Sequence, residues 1–199
     1  MKLLVPEKAA ARSLGRFRTL DTAIAFRMNA GFPGDINRGH PASIQPALIS
    51  PVNPVTAYGQ PVVIDTAGGS NNGVRPIVAG DNALTDIWGV TARPYPIQQS
   101  TTGNAYGAAP YGSVAPPLLQ PIDILRGGYI MVSVNTLVAS PVKGGAVFIW
   151  YAASGGGHTQ GGFEGGATGG STLALNTAIY QWNSPPDASG VAELIISKF

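Results

Sequence analysis

The 199-residue chain carries 27 glycines and 17 prolines, 44% apolar residues, only 11% charged residues and a net charge of +2. So large an apolar share with so small a net charge excludes an intrinsically disordered chain, and no uncharged apolar run approaches the ~18 residues of a membrane-spanning helix. The absence of cysteine removes disulfides, thiolate zinc sites, iron–sulfur clusters and cysteine nucleophiles from consideration.

At the front, the apolar stretch Leu3-Leu4-Val5 is followed at once by charge and is too short for a secretory signal. Residues 7–14 follow Pro6, a good first-turn residue, and consist largely of helix formers, so a helix of at most two turns is expected before Gly15. Alone it would be marginal, because so short a helix needs a partner surface. Lys2, Lys8, Arg12, Arg16 and Arg18 stand against Glu7 alone, which leaves residues 1–20 at +4 and the rest of the chain at −2.

From residue 22 onward the pattern is strand and turn. Residues 58–64 read as a strand entered through Pro61, residues 65–73 as a loop of turn formers, and residues 74–78 as the returning strand. Residues 86–93 form the next strand, stopped by Pro94 and Pro96. Residues 128–134 alternate partly with a period of two. Residues 146–151, wholly apolar, are the best candidate for a central strand. Residues 178–182 and 191–196 close the set. Strands this short, split by glycine and proline turns, predict an all-β fold, a barrel or a jelly-roll-like sandwich, with an extended N-terminal arm. Val147, Ile149, Ile130, Val132 and Ile195 are the expected core, with Trp150 at least partly buried.

Sites for chemistry are sparse. His40 and His158 lie in separate loops without the spacing that presents two imidazoles to a metal. The ten acids are scattered singly, and no G-x-S-x-G elbow is present. The glycine-rich loop of residues 155–170 lacks the Gly-Lys-Ser/Thr ending of a phosphate loop. No catalytic residue, metal or cofactor is therefore expected, and an enzyme is disfavoured.

Two features suggest assembly. A soluble monomer usually covers itself with Lys and Glu, whereas this body is nearly neutral; surface hidden between subunits explains that, as do turns that simply dilute the charge. The basic segment allows phosphates, an anionic membrane or an acidic protein surface as partners. Phe17 is its one aromatic, which gives base stacking little support. An arm that orders on a neighbouring subunit is the preferred reading, with Arg12, Arg16, Arg18 and Phe17 in contact.

Residues 26–38, Phe-Arg-Met-Asn-Ala-Gly-Phe-Pro-Gly-Asp-Ile-Asn-Arg, resemble the opening motif of the cement, or decoration, proteins of tailed-bacteriophage heads. Further pieces follow in the same order: residues 80–82, residues 87–96 with Arg93-Pro94-Tyr95-Pro96, residues 125–130 around Arg126-Gly127-Gly128-Tyr129, residues 144–149 and residues 187–194. The resemblance spans roughly residues 24–199 and leaves residues 1–23 as an additional basic arm. It implies a virion structural protein on the capsid exterior, made in the host cytoplasm, that trimerises and clamps neighbouring subunits of the major capsid protein. Nucleic acid and membrane are not expected as direct partners. In the motif itself, Gly31, Pro33 and Gly34 predict a fixed turn in which Asp35 accepts backbone N–H bonds. Arg27, Asp35 and Arg38 are candidate contacts to the shell; equally, the turn serves only to pin the first strand. Two rivals remain: a carbohydrate-binding β module, with Trp88, Trp150 and Trp182 as platform candidates, and a glycan-cleaving enzyme, which needs two convergent carboxylates.

Overall fold

The computed structural model describes residues 31–36, 41–66, 73–93, 116 and 121–198. The expected helix at residues 7–14 and the basic arm lie outside them. Ten strands make up one connected sheet system: β1 (Ser43–Leu48), β2 (Pro61–Ile64), β3 (Val74–Pro76), β4 (Gly89–Thr91), β5 (Pro121–Asn135), β6 (Phe148–Trp150), β7 (Phe163–Glu164), β8 (Thr172–Ala174), β9 (Tyr180–Trp182) and β10 (Val191–Ile196). Among the described residues the one helical piece is a single 3-10 turn, Ala79–Asp81. The fold is all-β, and the sheet curls into a half-barrel.

The path through the sheet runs β3-β2-β4-β5-β7-β6-β8, with β1 and β10 joined to β5 and β9 to β10. Strand β5 is the hub. Its first half pairs antiparallel with β1 and β4, its second half pairs antiparallel with β10, and its end runs parallel to β7. Central position thus belongs to β5 and not to residues 146–151. There the extended stretch shortens to the three residues of β6, which pairs only with the short strands β7 and β8. Residues 58–60 likewise turn before β2 begins, and their backbone bonds β4: Gly59 N–H donates to the Thr91 carbonyl at 2.8 Å and Thr91 N–H to the Gln60 carbonyl at 3.0 Å.

Alternation along the strands builds two apolar clusters. Val63, Val90, Leu125, Ile130, Val132, Val147, Ile149, Tyr180, Trp182, Leu194 and Ile196 belong to the larger one. Ile49, Val55, Val62, Val74, Ile122 and Ile124 form the smaller. Val62 and Val63 are adjacent in sequence yet enter different clusters, as successive strand residues must. Each fully buried aliphatic side chain contributes about 1.5–3 kcal/mol relative to exposure. Ile195, expected in the core, is only half-buried, because Leu194 and Ile196 take the inward positions of β10 and the period of two turns Ile195 away.

Midway along β5 Gly128 takes a φ of +125°, which a side chain would resist.

Candidate functional site

The segment Gly31-Phe32-Pro33-Gly34-Asp35-Ile36 folds as a closed turn. Asp35 N–H donates to the Phe32 carbonyl at 3.0 Å, and Phe32 N–H donates to Asp35 Oδ2 at 2.9 Å. Gly34 sits at φ +90°, and a Cβ there would come within 2.7 Å of the Tyr58 Cβ and 3.1 Å of the Arg93 nitrogen. The turn is stitched into the sheet from two sides. Gly34 N–H donates to the Met131 carbonyl at 2.7 Å, Met131 N–H to the Asp35 carbonyl at 2.9 Å, and Arg93 N–H to the Gly34 carbonyl at 2.8 Å. The Arg93 guanidinium lies 3.7 Å from Asp35 Oδ1 and 4.8 Å above the Phe32 ring. Asp35 therefore performs the backbone-capping role read from the sequence, and the cation beside it is Arg93. Arg12, Arg16, Phe17, Arg18, Arg27 and Arg38 lie outside the described residues.

Exposed apolar side chains gather at the two ends of β5. Strand β1 is exposed at every position except the half-buried Ala47. Ile44 and Leu48 are 47% and 53% exposed, and Val52 beyond the strand 66%. Register places Ile44 opposite Leu125, Pro46 opposite Asp123 and Leu48 opposite Pro121. The strand Ser-Ile-Gln-Pro-Ala-Leu has no charged residue. After the far end of β5, Leu137, Val138 and Val142 are also exposed. Sequence reasoning passed over β1, since Pro46 interrupts it and no alternation marks it.

A pocket of about 430 Å³ is lined by Tyr58, Gln60, Ser133, Asn135 and Glu164 among others. Glu164 is 1% exposed. Its Oε1 meets His158 Nδ1 at 3.0 Å, while its Oε2 is buried without a hydrogen-bond partner. The His158 ring stacks on Trp150 at 3.9 Å between centroids. Asn135 Nδ2 donates to the Gly157 carbonyl at 2.9 Å, which ties the glycine loop to the end of β5.

No tryptophan offers an open ring face. Trp182 and Trp150 are buried, and half-buried Trp88 lies under the Arg126 guanidinium at 3.6 Å. Arg126 in turn donates from Nη1 to Gln45 Oε1 at 3.2 Å. Two carboxylates do converge, Asp65 and Asp81, but on Arg75: Asp81 receives it at 2.6 Å and Asp65 lies 3.9 Å from its Nε. Ser50 also donates to Asp65 at 2.5 Å. The Arg75 guanidinium holds the Asp81 carboxyl below its usual range, which suits a structural ion pair rather than a general acid.

The described residues thus form a β half-barrel with exposed apolar side chains near both ends of β5. The profile of the XM1 gp53 minor capsid protein family matches residues 22–196, and the chain belongs to that family. It is thus a phage capsid-associated protein with a structural role in the virion. Among solved structures, a chain described under "The capsid of Myoviridae Phage XM1" is similar at a TM-score of 0.59 and 17% identity, over 86% of this chain and 93% of that one; this shows a shared fold. No curated protein matches.

Proposed function

We propose that the protein decorates the outside of the head, where it clamps neighbouring major capsid subunits and stabilises the shell. On this reading residues 24–199 are the decorating body and residues 1–23 a basic arm that reaches a neighbour, and the body assembles as a homotrimer. The observation that carries it is the uncharged, exposed ladder of β1, with Ile44 and Leu48 bare on a protein that is otherwise short of charge. Apolar patches of this kind mark protein contacts more often than free surface. The capsid structure with the similar fold supports the setting.

Electron microscopy of undecorated heads incubated with the purified protein tests this. The expected result is added density on the exterior at local three-fold positions, with contacts exceeding ~1,000 Å². Density on the inner face, or copies isolated from one another, overturns the corresponding part.

A further inference from the structure

We propose that Arg126, laid over Trp88, is the receptor for a carboxylate side chain of the capsid subunit that this protein grips; the inference rests on the decorating role above and names the chemistry of one of its contacts. Among the described cations, Arg75, Arg93 and Lys198 each have a carboxylate within 4 Å. No carboxylate of the described residues reaches Arg126. The acid nearest in sequence to Trp88, Asp86, is already bound by Lys198 at 2.6 Å and by the Tyr180 hydroxyl. Among the described residues Arg126 is held by the Trp88 ring at 3.6 Å and by Gln45, and its Nε is buried without a hydrogen-bond partner there.

A guanidinium so placed is half-desolvated and fixed in orientation, yet it keeps donors unused. Its five N–H groups form a rigid fork that matches a carboxylate. Stacking on tryptophan leaves the edge of the plane free while limiting rotamer freedom, so little ordering remains to be done when an anion arrives. Arginine and tryptophan are also the residues that most often dominate interface energies. Gln45, which steadies the fork, belongs to β1, so this cation adjoins the bare strand. A protein carboxylate fits better than nucleic-acid phosphate, since residues 21–199 sum to −2.

The test uses full-length protein and undecorated heads. Arg126→Gln should lower affinity at least about tenfold, whereas Lys143→Gln, which removes the same charge from an exposed turn, should change it less than about twofold. Melting temperature and tryptophan emission establish that each variant is folded. Arg126→Lys supplies a second readout that does not depend on affinity: carbodiimide treatment on heads should join the introduced amine to an aspartate or glutamate of the major capsid protein, located by mass spectrometry. Wild-type affinity for Arg126→Gln, an equal loss for Lys143→Gln, or no such crosslink overturns the inference while leaving decoration intact. Binding abolished by nuclease points to nucleic acid and overturns it too. Heads that fail to bind even the wild-type protein overturn the decorating role itself.

Discussion

Gly34 donates its amide to the carbonyl of Met131 at 2.7 Å, so the first described turn is a working part of the central strand's ladder. Met131 faces Glu193 of β10 in register, while its own N–H and C=O both go to the turn. The segment therefore stands where another strand would stand beside β5.

Substituting that glycine should unsettle the whole sheet. In Gly34→Ala the Cβ meets Tyr58 at 2.7 Å, and the backbone is held at φ +90°. The left-handed conformation costs about 1–2 kcal/mol, and the overpacking about 1–3 kcal/mol more. Urea unfolding should show a loss of at least ~2 kcal/mol. A variant with an unchanged midpoint shows the turn to be an ornament on the fold.

Glu164 depends on His158 for the single hydrogen bond that its carboxyl makes among the described residues. His158→Phe preserves a ring against Trp150 but leaves both buried oxygens without a partner. The expected loss is about 1–3 kcal/mol, as for a buried acceptor left without its hydrogen bond. Combining it with Glu164→Met should recover much of that loss, because the orphaned acid is gone. A double variant no better than His158→Phe alone contradicts this account.

Acid should weaken the fold through two carboxylates. Burial pushes Asp81 upward, but the paired hydrogen bonds from Arg75, the Val78 amide and the Arg75 charge outweigh it and hold the carboxyl below its usual range. Asp86 behaves alike: burial raises it, and Lys198, the Tyr180 hydroxyl and the Ile87 amide bring it below. A carboxylate lowered by folding adds stability above its unfolded pKa of about 4, and the contribution disappears as pH falls through the folded value. Stability should stay level from pH 7 to about 5 and decline below about 4. Arg75→Met should make that decline shallower, measured as urea midpoint against pH; an equally steep profile argues that Asp81 is not involved.

Deleting residues 1–20 removes a charge of +4 and should leave the β body folded. Attachment to undecorated heads should weaken, and added salt should carry the intact protein partway to the same level by screening. Equal affinity of the two forms at low salt removes the arm from the mechanism.

Much of this architecture was legible in the sequence because strand burial has a period of two. Ile130, Val132, Val147 and Ile149 were marked for the core and are fully buried, and the turn at Gly34 and the capping by Asp35 could be read from residue types alone. The central strand was harder to see. Asp123, Arg126 and the Gly127-Gly128 pair interrupt β5, and their positions make sense only beside β1, β4 and β10, which lie tens of residues away. The apolar run at residues 146–151 looked central since hydropathy reports burial and not the number of neighbours. Arg126 stood within a recognised motif, yet its contact with Trp88 is tertiary, and nothing in the spacing of residues 88 and 126 announces it.

The partners of β5 arrive at very different times. During translation β1 and β4 precede it, but β10, which closes the edge of its second half, begins only at Val191. At ~5–20 residues per second the ribosome needs several seconds to bridge that gap, and throughout it a strand containing Ile130 and Val132 offers an unpaired edge of the kind that aggregates. A chain that ends before Val191 therefore leaves that edge of β5 open to pairing with a strand of another copy.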